Sequence, residues 1–250
     1  MGFFVMSVPK LWSLQQVVSR CEALIEHLGV RLQTGSDFEV FNFLVSASER
    51  ETPLDPIFRS IESDIDDVEG SWLIGRNHKD EIVQTQAMRS LSMACGTLEG
   101  FMSTRLDELR PGGQRVDLFK TSWRLSKAAC RISGRVFYHG GLWIRKDFRG
   151  GSLACLLTRY MIAKTILEHE PDYLIGLQSP FTSCRGLSAR EGYMHLEQRC
   201  IQWKFLDHDN LLEDWLVWMS REDAEFNLTI PPDEFFALFE KQTQSALKTA

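Results

Sequence analysis

Apolar positions recur every three or four residues from Leu11 to Leu28 (Leu14, Val17, Val18, Cys21, Leu24, Ile25, Leu28), and Gly29 follows. That period is the helical one, and a glycine just past its end is a natural stop, so the pattern predicts a helix. Phe38 to Val45 is dense in Phe and Val and reads as a strand. Pro53 and Pro56 open a short, acidic helical stretch running toward Asp67. Two apolar runs, Ser71 to Gly75 and Glu81 to Met88, flank a polar turn and predict a β-hairpin. Leu98 to Leu109 reads as a helix, Pro111-Gly112-Gly113 as a turn, and Trp123 to Ile132 as a further helix.

The second half has a more regular rhythm. Strand Val136–Ile144 leads to helix Ser152–Glu168, strand Tyr173–Leu177 and a short helix from Thr182 to Glu191. Met194–Phe205 and Trp215–Ser220 follow as strands, joined by a solvated acidic link at Asp207 to Asn210. Glu168-His169-Glu170 reads as a helix end, with the histidine favourably placed at the negative pole. A closing helix runs from Phe235 to Leu247 after Pro231-Pro232. Strand, helix, strand in the middle of the chain makes a parallel pair inside a mixed sheet. The fold class is therefore α/β (α+β) with helices on both faces. No internal repeat or low-complexity tract is present.

Composition narrows the function more than the fold. The 250 residues suffice for one large domain or a domain with extensions, and 44% hydrophobic with 25% charged residues is the balance of a globular protein. A net charge of −6 argues against a nucleic-acid scaffold but leaves room for a local basic pocket. No apolar run approaches the roughly 20 residues a membrane span needs. The opening residues lack a basic leader and a small-residue cleavage site, and Met6 stands where a myristoylation signal at Gly2 wants Ser or Thr. Six cysteines without a C-x-x-C pair read as reduced thiols of a cytoplasmic protein. The histidines show no metal-binding spacing, so no metal is expected.

The segment from Gly140 to Leu157 carries the chemistry. An apolar strand runs into a basic turn with two glycines, and the turn opens directly into an amphipathic helix. The first turn of a helix has unpaired N–H groups and the positive end of the dipole, and glycines let a bulky anion approach. The turn contains neither G-x-x-x-x-G-K-[ST] nor G-x-G-x-x-G. Arg145 and Lys146 stand at the strand end, either near phosphates or simply solvated.

Arg149-Gly150-Gly151-Ser152-Leu153-Ala154 resembles the acyl-CoA-binding motif of the GNAT (Gcn5-related N-acetyltransferase) superfamily. That signature is Arg or Gln, two free positions, Gly, one free position, then Gly or Ala. Arg149 and Ala154 fit; Ser152 replaces the middle glycine, and a glycine stands one place earlier at Gly151. The hairpin Trp72 to Met88 looks like the second and third strands of that fold, and Glu191-Gly192-Tyr193 is similar to the end of its fourth helix. The resemblance covers about residues 37 to 222. Residues 1–36 stand outside it as a helical extension, 92–134 as an insertion, and 223–250 as a second helical extension.

The resemblance implies a mostly antiparallel mixed sheet with a central splayed parallel pair. It also implies acetyl-CoA or another acyl-CoA as co-substrate, and an amine acceptor. The backbone of Leu142, Trp143 and Ile144 would meet the pantetheine, and the N–H groups of Arg149, Gly150, Gly151, Ser152, Leu153 and Ala154 the pyrophosphate. His139 is the first choice of base, since its ordinary pKa of about 6.5 suits proton removal near neutrality; Tyr138 and Glu99 are alternatives. The family often places an acidic Tyr four residues before the glycine that ends the fourth helix, and here that position is Ser188. Tyr193 follows that glycine and reads as core, as do Trp203, Trp215 and Trp218.

The leading reading is an N-acyltransferase, most simply an acetyltransferase. A second keeps the fold and draws the acyl group from an acyl-carrier protein, as acyl-homoserine-lactone and N-acyl amino acid synthases do. A third is an acyl-CoA sensor without turnover. Partners on the leading reading are the acyl-CoA and an amine; no nucleic acid and no membrane span are expected, and a homodimer stays open.

Overall fold

The computed structural model describes residues 13–59, 69–234 and 236–237. The opening residues, the acidic stretch from 60 to 68, and the closing helix expected from Phe235 lie outside or almost wholly outside these. The first helix, α1 (Leu14–His27), starts at a capping box in which Ser13 accepts from the Gln16 amide and the Gln16 side chain accepts from the Ser13 amide. Its buried stripe is Val17, Cys21, Leu24 and Ile25, the residues the spacing selected. A strand with no clear apolar alternation follows, β1 (Arg31–Gly35), and pairs at the sheet edge.

The stretch expected as a strand at Phe38 to Val45 is a helix, α2 (Phe38–Ser46). Two local features decide this. The Asp37 carboxylate accepts from the amides of Glu39 and Val40, which is an N-cap. Phe38, Phe41 and Val45 fall on one helical face and are buried, while Val40 and Phe43 are exposed. Burial of each large side chain on that face contributes roughly 1.5–3 kcal/mol, enough to override a weak strand propensity. The Trp72 indole N–H donates to the Asp37 carbonyl at 2.8 Å and holds the helix start on the sheet.

The hairpin forms as expected from β2 (Gly70–Arg76) and β3 (Ile82–Ser90). Next comes α3 (Leu98–Arg105), continued by a 3-10 turn to Leu109. The further helix expected from Trp123 to Ile132 is a second correction. The chain there forms a two-residue edge strand, β4 (Ser122–Trp123), then an open segment and a single 3-10 turn at Ala129–Arg131. Trp123 pairs with Ile201, and the Glu197 carboxylate accepts from both the amide and the hydroxyl of Ser126, so sheet pairing outcompetes a helix.

The remaining elements are β5 (Val136–Ile144), α4 (Leu153–His169), β6 (Tyr173–Gln178), α5 (Pro180–Cys184), α6 (Leu187–Glu191), β7 (His195–Lys204), β8 (Leu211–Ser220) and α7 (Arg221–Leu228). The single helix expected from Thr182 to Glu191 is two, because Gly186 stands between them at φ +73.

Among the described residues the strands form one sheet in the order β1-β2-β3-β5-β6-β8-β7-β4. Every neighbouring pair is antiparallel except β5 and β6. One face is covered by α1, α4 and α7, the other by α2 and α3. Both strand and helix from residues 14–35 are therefore built into the same sheet and helix layer. Trp203, Trp215 and Trp218 are buried as expected, each indole N–H donating to a carboxylate (Asp214, Glu213 and Glu197). No helix among the described residues is long and apolar enough to cross a membrane.

Candidate active site

The parallel pair separates. β5 and β6 are registered only from Val136 with Tyr173 to His139 with Gly176. Beyond that, β5 continues to Ile144 against β3, and β6 continues to Gln178 against β8. The facing edges of the two strands thus lose their partners in the middle of the sheet. A cleft of about 520 Å³ opens there, lined by Gly141 to Ile144 on one side and Gly176 to Ser179 on the other.

A bulge shapes the β5 wall. Thr85 pairs with Trp143 and Ala87 with Gly140, so Gly141 and Leu142 together stand opposite Gln86. Gly141 takes φ +62, and a Cβ on Gly140 would come within 2.7 Å of Phe58 and Tyr138. The Gly141 carbonyl accepts from Arg50 Nη1 (2.6 Å) and from the Thr85 hydroxyl (2.9 Å), which fixes the bulge.

At one end of the cleft lies the glycine turn. Gly150 has φ +93, and an added Cβ at Gly150 or Gly151 would meet nothing within 4 Å. The ladder of α4 begins with Leu156 N donating to the Ser152 carbonyl. The amides from Gly150 to Cys155 donate to no backbone carbonyl among the described residues, while the Arg149 amide is taken by the Lys146 carbonyl. The Ser152 hydroxyl is buried without a partner. Open space, free amides, an orphaned hydroxyl and the positive end of a 17-residue helix fit an anionic tail such as the diphosphate of CoA. Arg149 lines the cleft with its Nε donating to the Ile144 carbonyl. Arg145 is taken up by Glu81 and Asp147, and Lys146 is exposed.

His139 lines the cleft on the α4 side. Gln86 Nε2 donates to the Leu157 carbonyl (3.0 Å), so Gln86 Oε1 is the atom left to accept from His139 Nε2 (3.1 Å). The other ring nitrogen, Nδ1, then accepts from the Tyr193 hydroxyl (2.9 Å). Burial lowers the His139 pKa to about 4, so the ring is neutral at pH 7. Tyr138 points to the opposite sheet face, stacks on Phe58 and donates to Asp55 Oδ2 at 3.4 Å; it does not line the cleft. The Ser188 hydroxyl donates to Gln178 Oε1 (2.6 Å) and also lies outside the lining. Ser152 and Leu153 lie behind the lining too, while Leu142, Trp143, Ile144, Gly150, Gly151 and Ala154 are part of it. Glu99 is exposed on α3, away from the cleft.

Two lining carboxyls escaped the sequence reading. Glu191 ends α6 and is buried; its Oε2 accepts from Gln178 Nε2 (2.6 Å), and its Oε1 is buried without a partner. Burial raises its pKa to about 8. Asp55 stands on the α2 side, where Oδ1 accepts from the Gly112 amide (3.1 Å). Burial raises it to about 6, against the pull of nearby Arg50. An acidic residue ending an amphipathic helix, or one beside a proline, carries no local signal of such burial. Among the described residues no group of three or more His, Cys, Asp and Glu is gathered to hold a metal ion.

No family model and no curated protein sequence matches this chain. Solved structures do. A dodecameric spermidine N-acetyltransferase from Vibrio cholerae is 7% identical over 78% of this chain and 95% of that one, with a TM-score of 0.42. The N-acyl amino acid synthase FeeM from uncultured soil microbes is 12% identical over 78% and 93%, with a TM-score of 0.41. AAC(6')-Ib, solved with paromomycin and acetyl-CoA, is 10% identical over 79% and 96%, with a TM-score of 0.41. Likenesses of this size carry no argument about donor, acceptor or assembly. The single parallel pair β5–β6 in an otherwise antiparallel sheet, its splaying beyond His139 and Gly176, and the glycine turn that opens α4 are the arrangement that the resemblance to the GNAT superfamily implies.

Proposed function

We propose that this protein is an N-acyltransferase that moves an acyl group from acyl-CoA to an amine. The carrying observation is the gap between β5 and β6, with the free amides at Gly150 to Cys155 at one end. An extended pantetheine is long and thin and carries amides, so it suits an unpaired strand edge, as an added strand would. Residues at Gly141 to Ile144 orient it, and the helix start neutralises its diphosphate.

Two carboxyls on opposite sides of the sheet divide the proton work. Asp55 is ionised at neutral pH and takes one proton from the acceptor ammonium. The nitrogen bonds to the thioester carbon, and the carbon–sulfur bond breaks. Glu191 is protonated at neutral pH and gives its proton to the departing thiolate, whose conjugate acid has a matching pKa of about 8.5. The surplus proton on nitrogen replaces the one that Glu191 gave. His139, neutral and bonded at both nitrogens, positions Tyr193 and the β5 wall.

The reading is tested by thiol release from acetyl-CoA and longer acyl-CoA esters over a panel of amines. Amine-dependent release is expected. Absence of release with every amine and every ester, from a folded protein, would remove the reading in favour of a carrier-protein donor or a sensor.

A further inference from the structure

The α2 side of the cleft holds a cation and an anion that do not neutralise each other directly. Arg50 and Asp55 both line it. Each perturbs the other's ionisation, yet no ion pair joins them. Both are held from behind. Arg50 donates through Nε to the Thr52 carbonyl and through Nη1 to the Gly141 carbonyl and the Thr85 hydroxyl. Its Nη2 has no partner among the described residues. Asp55 is fixed through Gly112, whose backbone packs so closely on Pro53 and Leu54 that a Cβ would fall 2.2 Å from the Pro53 carbonyl oxygen.

A half-buried arginine with an open N–H edge binds a carboxylate well, and a half-buried carboxylate binds an ammonium. Two opposite charges held apart at one wall match a molecule that carries both. We infer that the acceptor is an α-amino acid, its ammonium on Asp55 and its carboxylate on Arg50. This rests on the acyltransferase reading above and specifies its acceptor. Peptide amino termini and polyamines lack the adjacent carboxylate, so with them the open edge of Arg50 would stay without a partner, which disfavours them.

The experiment compares free amino acids with their carboxamides and their decarboxylated amines, using acetyl-CoA and a long-chain acyl-CoA and reading thiol release. The expected result is at least a tenfold preference in kcat/KM for some free amino acid over both of its neutral-ended analogues. In the Arg50→Gln variant, which keeps a donor for the Gly141 carbonyl, that preference ratio falls to about one whatever happens to the overall rate. Equal or faster turnover of the carboxamides and amines by the unaltered protein would overturn the inference and leave the acyltransferase reading standing. An unchanged preference in Arg50→Gln would also overturn it. Absence of release with every donor and every amine would remove both together.

Discussion

The hydroxyl of Tyr193 donates to Nδ1 of His139 across 2.9 Å, and this bond ties the strand before the gap to the chain that leaves α6. Gln86 completes the chain on the other side and passes it to the Leu157 carbonyl on α4. Four elements are thereby joined through buried polar atoms that all have partners, and such a network makes a stiff wall. It also uses both ring nitrogens of the histidine that the sequence singled out. On the proposed acyltransferase reading the proton chemistry falls instead to the two carboxyls on either side of the gap.

That assignment predicts a bell-shaped dependence of kcat/KM on pH. Asp55 must be ionised and Glu191 protonated, so the limbs fall near 6 and 8. Glu191→Gln removes the alkaline limb and lowers kcat by about 10²-fold. Asp55→Asn removes the acid limb. Initial rates across the pH range check this; a Glu191→Gln enzyme with wild-type kcat contradicts the role.

The same burial gives a stability profile with a defined sign. Glu191 and Asp55 have folded pKa values above their unfolded ones, so the folded state holds extra protons and stability falls as pH rises, from about 4.5 to 8 for Glu191 and from about 3.9 to 6 for Asp55. His139 has a folded value below its unfolded one, so stability falls as pH drops from about 6.5 to 4. The Glu191 contribution is on the order of a few kcal/mol. Urea denaturation at a series of pH values checks it: Glu191→Gln flattens the alkaline decline, and an unchanged decline contradicts the burial.

Much of this is legible in the residues alone. The helix of α1, the hairpin, β5, α4 and the order of the last strands follow from apolar period and turn residues. The glycine turn is legible because its chemistry is local to consecutive residues. What failed was decided at a distance. Phe38 to Val45 is apolar under either period, and only the cap at Asp37 and the packing of Phe38 and Phe41 against Phe58 and Trp72 make it a helix. Asp55 and Glu191 look like surface acids in sequence. Their significance comes from Gly112 and Gln178, 57 and 13 residues away.

Gly112 should therefore matter to activity although it lies far from the glycine turn. Its Cβ would fall 2.2 Å from the Pro53 carbonyl oxygen and 2.4 Å from that of Leu54. Gly112→Ala must push the Pro53–Asp55 loop aside, costing about 1–3 kcal/mol and displacing the Asp55 carboxylate. A lower unfolding midpoint together with a raised KM for the acceptor, but not for the donor, is the expected outcome. Unaltered acceptor KM would show that the loop does not position Asp55 for it.

At Gly151 the opposite holds. Nothing lies within 4 Å of an added Cβ, so Gly151→Val costs little stability. The new side chain stands where the diphosphate approaches the helix start. Thermal unfolding with and without CoA checks this: the variant keeps the wild-type midpoint alone but loses most of the upward shift that CoA produces. A full shift in Gly151→Val contradicts the position of the anion.

The most direct test of the central claim is amide hydrogen exchange with and without acetyl-CoA. Binding in the gap protects the amides from Gly150 to Cys155, which donate to no backbone carbonyl among the described residues, and those β5 amides past His139 that face the gap rather than β3. Saturating acetyl-CoA that leaves these amides exchanging at their free rates, or protects another face of the sheet instead, contradicts the account.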